Sequence, residues 1–293
     1  YYERDYENRD ADRTIKECCI KETLRKDKLS PQNVYKKRKT FFPQMDKIEI
    51  DITFDCNLKC KGCNRSCGLA PSRECMSPQD IKRFVKESIH LNIKWKLINI
   101  LGGEPTLHPK LKDILGILQT EYADVFNNDV IIQVVSNRYT KQSRKICEEI
   151  KLFKNVRIDY ESLKSDNEIG YFTPFTDAPF DDPDFKDEEY QKACWVTSYC
   201  GIGLNKNGYY GCSVCGGISR VLSDGEGVKS LVELTESVIK GHFEKYCKLC
   251  GNFKHYSNAH GDFLPRCEKD SFKEIISPTW GKLYKQYMKN LNN

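Results

Sequence analysis

Between residues 47 and 160, short apolar segments alternate with longer segments of helical periodicity. The first segment, KIEIDITF (47–54), alternates isoleucine with polar residues, and the third, DVIIQVVS (129–136), is apolar and β-branched. KLINIL (96–101) and VRIDY (156–160) also have the composition of strands. Repeated strand–helix units predict an α/β fold with a parallel sheet and right-handed crossovers.

Helix signals lie between these strands. Ser77 has the context of an N-cap, with Pro78 in the first turn and Asp80 at the third helical position. The apolar residues that follow share one helical face: Ile81, Phe84, Val85 and Ile89. Two further helices are expected, one with Leu111, Ile114, Leu115 and Leu118 on one face and one beginning at Thr140.

The pattern changes after residue 162. Residues 173–189 are rich in Pro and Asp, which predicts a linker or an active-site loop. A hairpin is expected at 201–212, with Asn207-Gly208 in its turn, followed by helices near 228–239 and 278–290. These changes divide the chain into four regions: a charged helical extension (1–45), a core (46–190), a smaller unit (191–270) and a C-terminal helix (271–293).

Composition narrows the classes of function. The 293 residues carry a net charge of +5, from 47 basic and 42 acidic residues, which is too dilute to predict nucleic-acid binding. No apolar run reaches the ~18 residues of a membrane span, and the charged amino terminus is unlike a secretory signal. The 15 cysteines therefore favour metal ligation in a reducing, cytoplasmic setting over a disulfide framework.

Four of the cysteines lie in DCNLKCKGCNRSC (55–67), directly after the first predicted strand. Cys56, Cys60 and Cys63 can hold three irons of a cubane cluster and leave the fourth iron without a protein ligand. A small molecule can chelate that open iron and receive an electron from the cluster. A tetrahedral zinc site, with Cys67 as its fourth ligand, is the alternative that this segment leaves open.

The second predicted strand is followed by Gly-Gly-Glu-Pro. A CxxxCxxC loop after one strand and GGEP after the next resemble the radical S-adenosylmethionine (radical SAM) superfamily over residues 46–162. The resemblance implies a partial (β/α) barrel, a [4Fe–4S] cluster on the three cysteines, and SAM bound to the fourth iron. Reductive cleavage of SAM then yields methionine and a 5′-deoxyadenosyl radical, with an electron from a reductant such as flavodoxin or ferredoxin.

The same resemblance implies contacts to SAM. Four residues match the loop that holds its amino group: Gly102, Gly103, Glu104 and Pro105. Their carboxylate and carbonyls can accept hydrogen bonds from an ammonium, and the glycines allow close backbone approach. Ser136 and Asn137 resemble the family's Thr-Asn-Gly near the ribose, although Arg138 replaces the glycine. Asp159 and Glu161 end the fourth strand, where the family often has polar contacts to SAM.

Two residues of the cysteine loop depart from the family pattern. Gly62 stands where an aromatic residue often precedes the third cysteine and helps to hold adenine. Cys67 is an additional thiol, and we interpret it as a structural residue rather than a ligand.

A second group of cysteines lies between residues 194 and 250. The pairs Cys212/Cys215 and Cys247/Cys250 look like a zinc ribbon, but the stretch between them exceeds the roughly 15–20 residues of that pattern. With the hairpin, they also resemble the SPASM or shorter twitch extension of radical SAM enzymes, which binds auxiliary [4Fe–4S] clusters. This second resemblance implies four ligands, with Cys200 or Cys215 as competing ligands: Cys194, Cys212, Cys247 and Cys250. The expected fold is a partial barrel with a small C-terminal hairpin and helix extension that binds a cluster.

These features predict a radical SAM enzyme that takes a hydrogen atom from a small-molecule or peptide substrate, aided by an auxiliary cluster. No catalytic residue is nominated, and ordinary structural roles are expected for His108 and for a solvated linker at 173–189. One alternative is a peptide-modifying or protein-maturing enzyme that works with a separate leader-binding partner, because residues 1–45 are too few to form such a domain. The other is a non-catalytic protein that holds zinc in the later cysteines.

Overall fold

A computed structural model describes residues 43–60, 62–159, 163–164, 171–172, 175–222, 225, 227–254, 264–265 and 277–291. The predicted strand–helix order is confirmed in the first half of the chain. Its elements are β1 Lys47–Thr53, α1 Pro78–His90, β2 Leu97–Gly102, α2 Leu111–Ile117, β3 Ile131–Val134, α3 Lys141–Ile150 and β4 Val156–Ile158. A π-helical turn, Leu118–Ala123, continues α2, and a 3₁₀ turn, Pro105–Leu107, precedes it.

The second half has shorter elements. They are β5 Tyr171–Phe172, α4 Trp195–Cys200, β6 Ile202–Asn205, β7 Gly208–Tyr210, α5 Ser213–Leu222, α6 Glu236–Tyr246, β8 Leu264–Pro265 and α7 Pro278–Leu291. Five 3₁₀ turns lie between them, at Pro179–Asp181, Tyr190–Lys192, Leu231–Glu233, Cys247–Leu249 and Gly251–Lys254. The helical extension expected at 1–45 lies almost entirely outside the described residues.

The main sheet has six strands in the order β4-β3-β2-β1-β6-β7. Every pair from β4 to β6 is parallel, and β7 returns antiparallel to β6 as a hairpin. β4 and β7 are edge strands in the described residues, so the sheet is an open, partial barrel rather than a closed one. β5 and β8 form a separate antiparallel pair.

β1 lies at the centre of this sheet and separates two kinds of surface. Ile48, Ile50 and Ile52 are fully buried in the main apolar core. Burying each isoleucine is worth about 1.5–3 kcal/mol relative to leaving it exposed. Glu49 and Asp51 alternate with them and therefore point to the other face, where they are also buried. The inner face of the sheet is thus polar at β1, next to the cysteine loop.

The start of α1 follows the predicted capping chemistry. The Ser77 hydroxyl accepts from the Asp80 backbone N–H at 3.2 Å, and the Asp80 carboxylate accepts from the Ser77 N–H at 2.7 Å. Thr140 caps α3 in the same way, through the Ser143 N–H at 3.0 Å. Both helices therefore begin where local sequence chemistry placed them.

Several expectations for the second half were wrong. The helix expected at 228–239 begins only after the N-cap Thr235, and α5 was not predicted. The hairpin turn is Lys206-Asn207, because Asn205 pairs with Gly208.

Residues 175–189 are not a solvated linker. Phe175 is fully buried, with its ring 5.2 Å from that of Trp280 in α7, and Phe185 is also buried. Aromatic burial against α7 therefore outweighs the polar composition of this segment.

Across the described segments, none of the helices α1 to α7 is long and apolar enough to cross a bilayer.

Candidate functional site

The three sequence motifs meet at one edge of the sheet. The cysteine loop follows β1, Gly103-Glu104-Pro105 follows β2, and Ser136-Asn137 follows β3, so all three leave the carboxyl ends of parallel strands. A cavity of about 340 Å³ opens there. Its walls include the predicted residues Cys56, Cys60, Cys63, Gly102, Gly103 and Asn137.

The cysteine loop turns back on itself within this cavity. Cys56, Cys60 and Cys63 are half-buried, and the Cys63 N–H donates to the Cys60 carbonyl at 3.3 Å. Gly62 has φ +63°, a left-handed conformation that an aromatic residue would adopt only with strain. The turn therefore explains why glycine occupies this position.

Gly102 and Gly103 pack against the chain that leads into the cysteine loop. A Cβ on Gly103 would overlap the Asp55 carbonyl oxygen, and one on Gly102 would overlap that of Thr53. The Gly103 N–H donates to Thr53 and the Glu104 N–H to Asp55, both at 2.8 Å. The glycines thus join the two loops backbone to backbone, and they also line the cavity.

Glu104 is fully buried, and its carboxylate connects the ends of β2 and β3. It accepts from the Ser136 hydroxyl and the Asn137 N–H, both at 2.7 Å. The N–H and hydroxyl of Thr106 donate to it as well, at 3.0 and 2.6 Å. Both carboxylate oxygens therefore already accept hydrogen bonds within the protein, and Ser136 lies behind Glu104 with no exposed surface.

Asn137 connects the end of β3 to the cysteine loop. Its amide donates to the Asn57 side chain at 2.8 Å, and its side-chain oxygen accepts from the Tyr139 N–H at 2.9 Å. Arg138 has φ +47°, a left-handed conformation that glycine adopts at lower cost than arginine. Asn57 was missed from the sequence, because only the fold brings it to Asn137.

The remaining predicted residues lie around this arrangement. Pro105 is buried at the start of its 3₁₀ turn, and Asp159 is half-buried one residue past β4. Glu161 lies outside the described residues. His108 is buried, with Nε2 2.8 Å from the Met76 carbonyl and Nδ1 accepting from the Lys110 N–H. Burial lowers the pKa of His108, so it is a neutral structural residue at pH 7.

The thiols of the loop are crowded together. A hydrogen bond to Cys67 and burial raise the pKa of the Cys63 thiol. A hydrogen bond to Cys56, with burial, raises the pKa of Cys67 to about 12. Without added positive charge these two thiols stay protonated at neutral pH. Iron ions supply such charge and bind thiolates, so this donor set fits an iron–sulfur cluster.

A buried charge network forms one wall of the cavity. The Arg65 guanidinium donates to Glu49 at 2.6 Å and to Asp51 at 3.0 Å, and Ser213 of α5 also donates to Glu49. Burial raises the pKa of Asp51 to about 6, while the two carboxylates raise that of Arg65 despite its burial. The only sequence signal for this network was the polar alternation of β1.

The later cysteines line a second, much smaller cavity of about 10 Å³. Five thiols border it, all buried: Cys194, Cys212, Cys215, Cys247 and Cys250. Burial and the hydrogen bond with Cys212 raise the pKa of Cys215, and the same hydrogen bond lowers that of Cys212. The four favoured ligands and one competitor are therefore brought together. The other competitor, Cys200, is absent from the lining of this cavity and interacts with both Glu49 and Cys212.

The two cavities are neighbours. Asn252 borders both, and it makes side-chain and backbone hydrogen bonds to the Cys250 thiol. Among the described side chains, no three His, Cys, Asp or Glu groups converge on a single metal-ion position. A [4Fe–4S] cluster binds each thiolate through a different iron and does not require such convergence.

Comparisons with known proteins identify the first half of the chain. Residues 50–172 match the family model of the radical SAM superfamily. No curated protein matches the chain. Among solved structures, BtrN in complex with AdoMet and 2-DOIA is similar at 13% identity and a TM-score of 0.41, over 82% of this chain and 99% of that one.

Streptococcus suis SuiB bound to S-adenosylmethionine is similar at 20% identity and a TM-score of 0.29, over 43% of this chain and 26% of that one. SuiB bound to precursor peptide SuiA has 19% identity and a TM-score of 0.28 over the same shares. Because these TM-scores are low, the family assignment rests on the segment that matches the family model. That segment contains the three-cysteine loop and the Gly-Gly-Glu-Pro loop. The family assignment therefore applies to residues 50–172, which match the radical SAM superfamily.

Proposed function

We propose that this protein is an enzyme that cleaves SAM reductively and takes a hydrogen atom from a small-molecule or peptide substrate. One observation carries the proposal. The three cysteines of the CxxxCxxC loop border the same 340 Å³ cavity as Gly102, Gly103 and Asn137. Cluster ligands and cofactor-binding loop thus face one space large enough for a small ligand.

Cys56, Cys60 and Cys63 would hold the SAM-binding [4Fe–4S] cluster. When bound, the cluster supplies the electron that splits SAM into methionine and a 5′-deoxyadenosyl radical. The polypeptide orients the ligands through the Asn137–Asn57 hydrogen bond and the backbone contacts of Gly103. It also limits the access of water, because the start of the loop packs against the end of β2 and is hydrogen-bonded to the end of β3.

For SAM itself, we propose a division of roles within the Gly-Gly-Glu-Pro loop. The backbone of Gly102 and Gly103 borders the cavity and would meet the ammonium group through carbonyl oxygens. Glu104 would act one layer behind, by holding Ser136 and Asn137 in place. Asn137 and Asp159 remain the proposed polar contacts for the rest of the cofactor.

We further propose an auxiliary [4Fe–4S] cluster on Cys194, Cys212, Cys247 and Cys250, with Cys215 as the fifth thiol at that cavity. Asn252 borders both cavities, which supports a role in substrate binding or in electron transfer. Two N–H donors on the Cys250 sulfur would stabilise the reduced cluster, since such hydrogen bonds offset negative charge.

The substrate proposed is a polar molecule. Glu49 and Arg65 border the cavity and pair with each other, so this wall offers hydrogen-bond donors and acceptors to a polar ligand. A peptide presented by a separate leader-binding partner would meet the same polar wall.

Iron content tests the proposed function. Anaerobic reconstitution with iron and sulfide should give about eight irons per chain, four for each cluster. Cys60→Ala should lower this to about four and abolish SAM binding in equilibrium filtration. Cys75→Ser is the matched control, because its thiol lies 3.2 Å from the Thr53 hydroxyl, a contact that serine can also make. A protein that binds zinc instead, or keeps its iron in Cys60→Ala, would refute the proposal.

A further inference from the structure

Cys67 is the thiol of the first cysteine segment that the proposed function leaves without a role. It is buried, with 8% of its surface exposed, and borders the same cavity as Cys56 and Cys63. Its thiol is within hydrogen-bond reach of both of those thiols. Cys147, by contrast, packs in the main apolar core, as a structural cysteine usually does.

The backbone immediately before Cys67 adopts an energetically unfavourable conformation that turns it toward the cysteine loop. Ser66 has φ +56° and is fully buried, although a serine in the left-handed region costs on the order of 1 kcal/mol. Its N–H donates to the Cys63 carbonyl at 2.8 Å, and its carbonyl accepts from the Ala70 N–H at 2.7 Å. This turn points Cys67 back at Cys63 rather than into the core.

Helix α5 fixes the turn from outside. The Arg220 guanidinium donates to the Arg65 carbonyl at 2.5 Å and to the Ala70 carbonyl, which lie on either side of Cys67. A Cβ on Gly217 would overlap the Asn64 carbonyl, so the helix backbone lies directly against this segment. The backbone on both sides of Cys67 is therefore fixed by contacts with α5, and these contacts fix the position of Cys67.

A thiol held beside a three-cysteine cluster site can ligate the one iron that the other three cysteines do not reach. Three thiolates leave one iron of a cubane without a protein ligand, and thiolate is a preferred ligand for that iron. We propose that Cys67 ligates the open iron of the SAM-binding cluster while SAM is absent, and yields that position when SAM binds. The inference rests on the proposed function, because it requires a cluster on the other three cysteines.

The exchange moves no electron. One iron–sulfur bond to Cys67 breaks, and bonds from the same iron to the amino nitrogen and carboxylate oxygen of SAM replace it. The released thiolate keeps its electron pair and takes a proton from water. If the thiolate occupies the iron in about nine of ten SAM-free molecules, the apparent affinity for SAM falls about tenfold. Binding of SAM and departure of Cys67 are thus one coupled equilibrium.

Full-length protein, reconstituted anaerobically, tests this exchange in four forms: wild type, Cys67→Ala, Cys67→Ser and the control Cys75→Ser. The dissociation constant for SAM is measured by equilibrium filtration with the cluster oxidised, so that no SAM is consumed. Electron paramagnetic resonance spectra are recorded on the dithionite-reduced proteins, with and without SAM.

Both Cys67 variants should bind SAM about tenfold more tightly than wild type and the control. Their SAM-free spectra should differ from that of wild type, whereas the SAM-bound spectra of all four proteins should coincide. Equal affinities with coincident SAM-free spectra would overturn the inference. So would failure of both variants to hold the cluster, because Cys56, Cys60 and Cys63 must suffice to hold it and Cys67 only occupies the position that SAM takes.

These outcomes are separable from failure of the proposed function. A wild-type protein that holds the cluster and cleaves SAM, with Cys67 variants identical to it, removes only the role of Cys67. A wild-type protein that assembles no SAM-binding cluster refutes the proposed function itself.

Discussion

Arg220 offers the sharpest test of how the two halves of the chain are joined. It lies in α5, yet its side chain is almost fully buried against the segment that follows the first cysteine loop. Its guanidinium donates to the Arg65 and Ala70 carbonyls and lies 4.0 Å from the centre of the Phe54 ring. We predict that Arg220→Met, which keeps the length of the side chain but no donor, loosens this junction.

The magnitude follows from the contacts that are lost. Each buried carbonyl left without a partner costs about 1–3 kcal/mol, and a desolvated cation–π contact is worth about 2 kcal/mol. Methionine recovers part of the packing over Phe54, so the expected loss in unfolding free energy is about 4 kcal/mol. Arg220→Lys keeps the charge but cannot serve both carbonyls, so it should lose about 2 kcal/mol.

Urea unfolding of the metal-free protein, followed by circular dichroism, measures this loss from the midpoint and slope. Arg83→Met is the control, since that side chain is largely exposed and pairs only with Asp80 at 3.1 Å in the contacts described. A difference below about 1 kcal/mol between wild type and Arg220→Met would refute the reasoning, because the contacts would then contribute no more than a surface pair.

Three further predictions concern the site and its surroundings. Gly103→Ala forces a Cβ onto the Asp55 carbonyl and should abolish SAM binding in equilibrium filtration, whereas Gly116→Ala has open space and should bind normally; equal binding by both would contradict the packing argument. Because burial lowers the pKa of His108, the unfolded chain binds the proton first, so stability is lost as pH falls below 6.5. Thermal midpoints between pH 8 and pH 5.5 should therefore fall less in His108→Gln than in wild type, and parallel slopes would count against this. Cys250→Ser should lose about four irons and Cys200→Ser none. The reverse result would show that Cys200, and not Cys250, is a ligand of the auxiliary cluster.

Local signals predicted the first half of the fold well. Ser77 and Thr140 cap their helices where the sequence places them, because a capping side chain acts within three residues. The parallel sheet followed from the repeated strand–helix units, and β3 from its apolar, β-branched composition.

Long-range packing explains the main failure. Helix α5 was missed because it contains Gly216-Gly217, a pair that disfavours helix formation. The structure requires glycine at 217, where any side chain would overlap the Asn64 carbonyl far back in the chain. No local pattern contains that constraint, so tertiary contact overrides propensity here.

Some features of the candidate site could likewise be predicted from the sequence, and others could not. The sequence motif and the resemblance to a SPASM or twitch extension predicted two groups of thiols, and five thiols of the later group border one cavity. The residues that order them could not be predicted: Asn57 meets Asn137 across 80 positions, and Arg220 meets Arg65 across 155. Glu104 was expected to meet the cofactor directly, but its acceptors are occupied by Ser136 and Asn137, which only the assembled loops reveal.

The central claim is that the protein binds SAM in the cavity at the first cysteine loop and cleaves it there to a 5′-deoxyadenosyl radical. The most direct measurement is the amount of 5′-deoxyadenosine formed from SAM by the anaerobic, reconstituted protein after dithionite is added. We expect 5′-deoxyadenosine and methionine in equal amounts from wild type and from Cys75→Ser, and none above background from Cys60→Ala. No 5′-deoxyadenosine from an iron-loaded wild-type protein, or equal amounts from Cys60→Ala, would contradict the account.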